Sequence, residues 1–448
     1  MNLRRILHNV PASNGGSAMR LHTPGTAALA VLLLSTTACG GTDGEAGAAA
    51  EFTYWSMYKQ DEVRAKIVQD AATAFTKETG IKVNVVFQGR ENLKKLQPTL
   101  VGGNVGADLV DGAAFNVLNM LQATGNAADL SGVYAATIPG ETRTVADVVP
   151  DTYERLITDG GAKYLVPVAV HSWQVFYDAK RHPELAEQPP RTFDELLAVA
   201  GELKRKGRTP LALDGDVAGY PPKWTATLLI RELGPGGLAK VLQDKSGAGF
   251  DDPRVLKAAA YMERLGKGSL WADGWDASKF PAIQQKWAQG ESDLLFMGTW
   301  APSETGEVAG EGFEYRSFPF PETESGFDSQ ETTLYGFAVP AKSRHAEQAG
   351  KFIAYFLNKK WMDRIPAEDK VLSARTDTTT PPELADTKKA LGSATAAHFA
   401  LDGVRGMGDW ETKIFNPLSK EILSGRLTGA QFVARLKTET VEWWKVNA

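Results

Sequence analysis

Aromatic and hydrogen-bonding side chains recur where the sequence pattern predicts that strands end and loops begin. A neutral carbohydrate presents flat C–H faces and a rim of hydroxyl groups, so its binding site needs aromatic rings together with carboxylates and amides. The chain has 11 tryptophans in 448 residues, which supplies such rings. The candidate ligand contacts are Trp55, Ser56, Gln88, Asp111, His171, Trp173, Asp214, Trp224, Trp275, Trp300, Tyr335 and Trp410.

Each candidate also has an ordinary structural explanation. A tryptophan can pack in a hydrophobic core, and an aspartate such as Asp111 or Asp214 can cap a helix. His171 can be a structural histidine whose hydrogen bonds are satisfied inside the protein. Residue type alone therefore leaves ligand binding and packing open at these positions.

Catalytic motifs are absent from the sequence. The six histidines form no H-E-x-x-H pair, and no G-x-S-x-G is present, so zinc protease and serine hydrolase sites lack their minimum parts. A secreted glycoside hydrolase needs two carboxylates placed across a sugar, and any two of the 54 acidic residues could supply them. This alternative stays open, and otherwise we expect no enzyme.

No cofactor or metal is predicted. Cys39 is the single cysteine, which excludes an internal disulfide and any multi-cysteine metal site. The glycine-rich residues 102–106 precede a predicted strand and lack Gly-Lys-Ser/Thr, and residues 234–239 follow a predicted helix, so neither fits a nucleotide-binding loop. An anion receptor would use arginine, and Arg90 is the only basic residue expected near the site.

Composition indicates a globular protein of two domains. The chain is 43% hydrophobic and 23% charged, and it is long enough for two buried cores. Its formal net charge of -5 gives no basic excess to attract phosphate backbones. Nucleic acid is therefore not an expected partner.

The N-terminal segment has the pattern of an export signal. Residues 27–34 (AALAVLLL) form an apolar run too short for a permanent membrane span, with arginines upstream. Residues 35–40 (STTACG) resemble a lipobox, although Thr36 stands where leucine is usual. We expect a signal peptide over 1–38, lipidation at Cys39 and a flexible tether over 39–51. The start codon can correspond to Met1 or Met19.

The remaining chain alternates between strand and helix patterns. Residues 52–55 and 81–87 read as strands around a helix over 62–79, and Gly80 ends that helix. The later segments with strand character are 107–111, 164–177, 293–297 and 334–339, and those with helical character include 92–101, 193–206, 224–233 and 253–267. This alternation predicts an α/β fold with a mostly parallel sheet.

Several segments, in order along the chain, resemble the extracellular solute-binding proteins of ABC importers, in particular the maltose-binding-protein-like group. The resemblance extends from about residue 52 to the C-terminus, and its most specific segment is 189–196. The segments are 75–83 (FTKETGIKV), 107–110 (ADLV), 167–178 (PVAVHSWQVFYD), 189–196 (PPRTFDEL), 280–290 with 295–300 (LFMGTW), and 349–353 (AGKFI).

The resemblance implies a two-lobe periplasmic-binding-protein-like fold, with a hinged cleft between lobes built from discontinuous segments. One lobe would comprise residues 52–168 and 295–337, and the other residues 169–294 and 338–448. Loop tips at the ends of strands would line the cleft. In this family a ring at the position of Trp300 lies on the sugar, and His171 falls at a polar position beside the hinge.

The function that the resemblance implies is capture of a sugar or oligosaccharide by lobe closure and delivery to the membrane permease of an ABC importer. The protein would act as a monomer, outside the cytoplasm, anchored to the cell membrane through lipid on Cys39. A receptor for a non-sugar solute is the main alternative, and a glycoside hydrolase is the other. Which sugar is bound cannot be read from the residues.

Overall fold

The computed structural model describes residues 51–101, 105–217, 219–405, 407 and 409–447. The predicted signal peptide, Cys39 and nearly all of the tether lie outside these residues, and their interpretation stays a prediction. Among the helices of the described residues, none is both long and apolar enough to cross a membrane.

Twelve strands occur within the described residues. They are β1 Glu51–Ser56, β2 Lys82–Phe87, β3 Leu109–Ala113, β4 Thr158–Asp159, β5 Ala162–Lys163, β6 Val166–Asp178, β7 Leu211–Ala212, β8 Leu294–Gly298, β9 Tyr315–Pro319, β10 Gln330–Ala338, β11 Leu372–Ser373 and β12 Ala397–His398.

The described residues also contain seventeen α-helices. They are α1 Val63–Thr79, α2 Asn92–Leu100, α3 Ala114–Met120, α4 Ser131–Tyr134, α5 Asp151–Ile157, α6 Pro183–Glu187, α7 Phe193–Arg205, α8 Tyr220–Leu233, α9 Gly237–Gln243, α10 Pro253–Lys267, α11 Ala282–Ala288, α12 Ala301–Thr305, α13 Ala346–Phe356, α14 Lys359–Met362, α15 Ala385–Ser393, α16 Asn416–Leu423 and α17 Gly429–Asn447. Short 3₁₀ turns lie at Gln122–Thr124, Ala248–Asp251, Trp275–Ala277, Pro382–Leu384 and Ala400–Gly403, and π turns at Ile365–Asp369 and Glu411–Phe415.

The first strand–helix–strand unit forms as the pattern predicts. Strands β1 and β2 pair in parallel, from Glu51 with Lys82 to Ser56 with Phe87. Helix α1 ends at Gly80, whose φ of 74° lies in the left-handed region that glycine adopts without a steric penalty. The buried side chains of α1 include Ile67, Ala71 and Phe75, at the spacing of one helix face.

The most specific family segment has a local physical function. Thr192 precedes α7, and its side chain accepts a hydrogen bond from the backbone N–H of Glu195 at 3.2 Å. The Glu195 carboxylate accepts in return from the backbone N–H of Thr192 at 3.1 Å. This reciprocal pair is a capping box, so the residue pattern there specifies the start of a helix and not a ligand contact.

Ten strands form one sheet, and two of them connect its halves. The order along the sheet is β2-β1-β3-β10-β6-β8-β7, with β9 and β11 also on β6 and β12 on β10. Strand β6 pairs with β10 from Val166 to Ser172, and then with β8 from Trp173 to Tyr177. The strand therefore changes partners between Ser172 and Trp173.

The pairings differ in detail from the predicted division of the chain. Strand β8 pairs with β7 and with the second part of β6, although residues from 295 were assigned to the first lobe. Helix α13 packs its Phe352 against Phe52, Phe75 and Phe337, although residues from 338 were assigned to the second. The sequence motifs locate strands, but partner choice depends on contacts between distant residues, which periodicity does not report.

Candidate functional site

An aromatic cluster lies where β6 changes partners. It consists of His171 and Trp173 on β6, Tyr335 on β10, Trp300 directly after β8, and Tyr220 at the start of α8. We refer to these five residues as the aromatic cluster. Four of the five, all except Tyr220, were predicted as ligand contacts. They come from four separate parts of the chain, so only the sheet topology brings them together.

The rings contact one another in sequence. The ring centroids of Trp173 and Trp300 are 5.5 Å apart, and those of Trp173 and Tyr220 are 5.8 Å apart. The His171 ring lies 5.7 Å from Trp300 and 5.5 Å from Tyr335. Trp173 is buried, whereas the other four rings are only partly buried. The cluster thus presents ring surface to the solvent while Trp173 supports it from inside.

Gly298 allows the Trp300 ring to lie back on the end of β8. A Cβ atom placed on Gly298 would meet the Trp300 indole at 2.3 Å, which is closer than real Cβ contacts. Any side chain at this position would therefore displace the ring. The residues of the GTW segment act as a unit because the glycine makes space for the tryptophan two positions later.

His171 is neutral at ordinary pH. Its Nδ1 atom lies 2.9 Å from the Thr299 hydroxyl oxygen, so one ring nitrogen has a hydrogen-bond partner. Burial, together with the positive charge of Arg64, lowers the pKa of His171 to about 4. An uncharged imidazole can exchange hydrogen bonds with a hydroxyl group without attracting an anion.

An ion pair lies beside the buried ring of the cluster. The Lys223 ammonium is 5.0 Å from the centroid of Trp173 and forms a salt bridge with Glu331. Glu411 is close to this pair, and burial raises the pKa of Glu411, which Lys223 lowers and Glu331 raises. These groups add hydrogen-bonding capacity next to the rings.

Two arginines flank Tyr58, which follows β1. The guanidinium carbons of Arg64 and Arg90 lie 5.5 Å and 5.1 Å from the centroid of the Tyr58 ring. Arg64 forms a 2.7 Å salt bridge with Asp369, and Arg90 forms a salt bridge with Glu62. Because each arginine already faces a carboxylate, Arg90 does not present an unpaired positive charge for an anion.

Ser56 and Asp111 join the ends of β1 and β3 inside the protein. The Asp111 carboxylate accepts hydrogen bonds from the Tyr54 hydroxyl at 2.6 Å and the Ser56 hydroxyl at 3.0 Å, and from the backbone N–H of Met57. Burial raises the pKa of Asp111 to about 6, although these hydrogen bonds lower it. Both residues were predicted to project into a cleft, and in this structure they bind the protein itself.

Asp214 caps a helix. Its carboxylate accepts from the backbone N–H groups of Ile283 at 2.8 Å and Gln284 at 3.1 Å, in the first turn of α11, and from the Ser278 hydroxyl. The side chain is buried and its hydrogen bonds are internal. The structure thus supports the capping explanation for Asp214, because negative charge is stabilised at a helix N-terminus.

Three predicted tryptophans belong to the hydrophobic core. Trp224 packs edge-on against Trp271, and Trp275 lies on the same ring at 5.1 Å. Trp410 has no exposed surface, stacks on Phe415 at 5.2 Å, and donates its indole N–H to Thr440. All three rings are buried by packing against other aromatic side chains, and none of them belongs to the aromatic cluster.

Trp55 and Gln88 remain apart from the aromatic cluster. The indole of Trp55 packs over Gly106, where an added Cβ would lie 2.9 Å from the ring. The side-chain oxygen of Gln88 accepts a hydrogen bond from Lys95 at 3.1 Å. Both side chains are partly buried and lie on the part of the sheet that contains β1 and β2.

Sequence reasoning missed Tyr58, Tyr220, Lys223, Glu331 and Glu411. Tyr220 and Lys223 are in the segment 220–224, which also contains the predicted Trp224 and begins α8. Successive residues of a helix point in directions about 100° apart. Because Trp224 points into the core, Lys223 beside it on the helix points toward the site. Tyr58 lies three residues beyond the end of the strand predicted over residues 52–55, and this position near a strand end was the only signal in the sequence for it.

Among the described residues, no group of three or more histidine, aspartate or glutamate side chains is arranged to hold a metal ion. The Lys223–Glu331 ion pair lies beside Trp173, and the Glu411 carboxylate lies near that pair. The arrangement can therefore stack a flat apolar surface and exchange hydrogen bonds with polar groups at its edge.

Comparison with known proteins gives a consistent result. A family model described as bacterial extracellular solute-binding protein matches residues 59–363. Among curated relatives, a diacetylchitobiose-binding protein of Streptomyces coelicolor is 24% identical over 234 residues, covering 50% of this chain and 48% of the relative. A multiple sugar-binding protein of Streptococcus mutans is 24% identical over 291 residues, covering 58% of this chain and 67% of the relative. The chain thus spans about half to two thirds of these two relatives.

The fold also matches a solved structure. The bacterial solute receptor AcbH, whose structure is described with a substrate preference for β-D-galactopyranose, superimposes with a TM-score of 0.74. It has 18% sequence identity, and the match covers 89% of this chain and 99% of that one. The predicted two-lobe α/β fold is confirmed.

Proposed function

We propose that this chain, which belongs to the family of bacterial extracellular solute-binding proteins, captures a neutral sugar or oligosaccharide for an ABC importer. Membership places the protein outside the cytoplasm. The observation that supports a sugar ligand is the aromatic cluster, in which partly exposed rings stand beside carboxylate, hydroxyl and ammonium groups. The two curated relatives described above are named for sugar binding, which agrees with this proposal.

A neutral ligand fits the charges of the site. Arg64, Arg90 and Lys223 each have a carboxylate partner within salt-bridge distance. An anionic ligand would have to compete with these carboxylates, and a buried charge loses solvation on binding. A hydroxyl-rich ligand instead receives hydrogen bonds from groups that remain paired.

Lobe closure would use the two shared strands. Lobe one would contain β1, β2, β3, the second half of β10 and α13, and lobe two would contain the second half of β6 with β7, β8 and β9. Because β6 continues from one lobe into the other near Ser172, the hinge would lie beside His171. Ligand bridging both lobes shifts the equilibrium toward the closed form.

The closed monomer would dock on the membrane permease, which reopens it, while other subunits hydrolyse ATP. Members of this family bind solutes, and we propose that this chain performs no catalysis, so that it returns its ligand unchanged. We also propose that lipid on Cys39 anchors the exported protein to the outer face of the cell membrane.

A thermal-shift titration tests the ligand class. The exported chain, expressed without residues 1–38, would be mixed with neutral mono- and oligosaccharides, with peptides and with divalent metal ions. A ligand that binds only the folded state raises the unfolding temperature as its concentration exceeds Kd. Stabilisation by one or more sugars is expected. Stabilisation by peptides or metal ions, with none by any sugar, contradicts the proposal, and release of new reducing ends from an oligosaccharide contradicts the absence of catalysis.

A further inference from the structure

A cavity lies beside Glu411, which forms part of its lining. It has a volume of about 680 Å³ and is bounded on one side by α3 and the turn after it, and on the other by Ala400, Leu401, Val404, Arg405, Met407, Trp410 and Glu411. Its lining includes the apolar side chains of Phe115, Leu401, Val404 and Met407, together with the polar side chains of Asn119, Arg405 and Glu411. We refer to it as the apolar cavity.

Most of the side chains that line the apolar cavity are apolar, and its polar lining residues are Asn119, Arg405 and Glu411. Phenyl, aliphatic and thioether groups give no hydrogen bond of ordinary strength, and a hydroxyl buried without a partner loses the hydrogen bonds it made in water. Arg405, also in the lining, already donates to the Gln122 side chain at 3.1 Å. An apolar group can displace water from the part of the surface formed by Phe115, Leu401, Val404 and Met407.

The position of Leu401 in the wall is imposed by an unusual backbone. Leu401 and Asp402 have φ values of 48° and 57°, in the left-handed region that residues with a side chain seldom adopt. The Asp402 carboxylate accepts hydrogen bonds from the backbone N–H of Gly236 at 2.8 Å and of Ala239 at 3.2 Å, at the start of α9. These bonds hold the turn, and the turn places Leu401 against the cavity.

Phe115 contributes the opposite wall. This residue follows β3 on α3 and is 36% exposed, which is high for a phenylalanine beside a cavity. Its ring lies edge-on to Phe399 with centroids 6.5 Å apart, so Phe399 packs against the Phe115 ring. The exposed surface of Phe115 is available to a further apolar group.

Glu411 connects the apolar cavity to the aromatic cluster. It lines the cavity, and it is also close enough to Lys223 and Glu331 for both charges to act on it. A Cβ placed on Gly219, directly before Tyr220, would lie 3.9 Å from a Glu411 carboxylate oxygen. Glu411 thus belongs to the lining of the cavity and also lies near the residue that precedes Tyr220 of the aromatic cluster.

We infer that the ligand is a glycoside with an apolar aglycone, whose sugar lies on the aromatic cluster and whose aryl or alkyl group fills the apolar cavity. This inference rests on the proposed function. A cavity of about 150 Å³ lined by apolar side chains is enough to bind benzene. The apolar cavity thus has room for an aglycone larger than one ring.

Matched glycoside pairs test the inference by isothermal titration calorimetry. The probes are the methyl and 4-nitrophenyl glycosides of glucose, galactose, xylose and N-acetylglucosamine, in both anomers. We expect at least one 4-nitrophenyl glycoside to bind about tenfold or more tightly than its methyl counterpart, because the ring buries apolar surface. Free 4-nitrophenol, which lacks the sugar, is measured alongside.

Two variants locate the effect. Leu401→Asn introduces a polar side chain that tolerates the left-handed backbone, and Phe115→Ser removes the exposed ring. Both should reduce the ratio of 4-nitrophenyl to methyl affinity to about threefold or less while leaving the methyl glycoside affinity nearly unchanged. Leu256→Asn, at a half-exposed leucine on α10, is the matched control and should retain the full ratio.

The outcomes separate this inference from the proposed function. If methyl glycosides or free saccharides bind and the 4-nitrophenyl group adds nothing, the aglycone inference is wrong and sugar binding stands. A preference that survives in both Leu401→Asn and Phe115→Ser also overturns it, because the aryl group then binds elsewhere. If no saccharide or glycoside binds, the proposed function fails and the inference fails with it.

Discussion

The indole ring of Trp300 meets the indole ring of Trp173 at an interplanar angle of 90°, with the centroids 5.5 Å apart. Trp173 is buried on β6, while Trp300 is partly exposed after β8. Edge-to-face geometry is favourable for aromatic rings, so the buried ring restrains the exposed one. A restrained ring loses little conformational entropy when a ligand stacks on it.

Trp300→Ala should weaken sugar binding and leave the protein folded. Removing a central aromatic contact typically costs about 2 kcal/mol, which corresponds to an affinity about 30-fold lower. Calorimetric titration with the sugar that stabilises the protein most measures this loss. Phe327→Ala, at an exposed ring that lies over Gly234, is the control and should bind normally. Unchanged affinity in Trp300→Ala would remove the main contact from the proposed site.

Gly298→Ala should also weaken binding, although it adds only a methyl group. The new Cβ would lie 2.3 Å from the Trp300 ring, so the indole must move from its present position. Overpacking at a buried strand typically costs about 1–3 kcal/mol of stability. Gly201→Ala, where no atom lies within 4 Å of the added Cβ, is the matched control. Normal affinity in Gly298→Ala would show that the ring position is unimportant for binding.

Asp111 should make stability increase as the pH falls from about 6 to about 4. Its pKa is about 6 in the folded protein, against an ordinary value of 3.8, so the folded state takes up a proton before the unfolded state does. The gain is at most about 3 kcal/mol. The free energy of unfolding of the wild-type protein and of Asp111→Asn is measured in urea across this pH range. The gain is the change with pH in the difference between the two proteins. A constant difference between the two proteins contradicts the prediction.

His171 should have the opposite effect in nearly the same range. Its pKa is about 4 when folded and 6.5 ordinarily, so the unfolded state is protonated first and stability is lost as the pH falls from about 6.5 to about 4. The variant His171→Gln, which does not titrate, should lose less stability on acidification than the wild type. If the free energy of unfolding changes with pH in the same way for both proteins, this imidazole does not contribute to the pH dependence of stability.

Cys39→Ser should release the protein from the membrane. If Cys39 is lipidated, wild-type protein in its native host should incorporate labelled palmitate and sediment with membranes, because an acyl chain partitions into lipid. The variant should do neither. Thr42→Ala, three residues later, is the control and should behave as the wild type. Equal membrane association of Cys39→Ser and the wild type would show that anchoring does not use this residue.

Sequence patterns predicted the elements better than the site. The boundaries of α1, α7 and α10 follow from apolar spacing and from end signals such as Gly80 and the capping box at Thr192. These signals are local, so one sequence contains them. The pairing of β8 with the second half of β6 joins residues far apart in the chain and had no local signal.

For the site, a prediction was correct only where the side chain faces the aromatic cluster. His171, Trp173, Trp300 and Tyr335 meet in one cluster, whereas Trp224 and Trp410 are buried on helices that are covered by other elements. Lys223 lies one residue before Trp224 and faces the cluster. Which face of a helix is covered depends on its tertiary neighbours. The number of tryptophans therefore predicted an aromatic site but did not identify which tryptophans form it.

The shared strands also determine when the chain can fold. Strand β6 obtains its partner β10 only after most of the polypeptide has left the ribosome, since the intervening residues supply β7, β8 and β9 first. A nascent chain that ends before Gln330 therefore leaves β3 and β6 with unpaired edges, which are prone to aggregation. Fragments truncated before Gln330 should therefore be insoluble. Because β10 pairs late, the sheet can be completed only when synthesis of the chain is nearly finished.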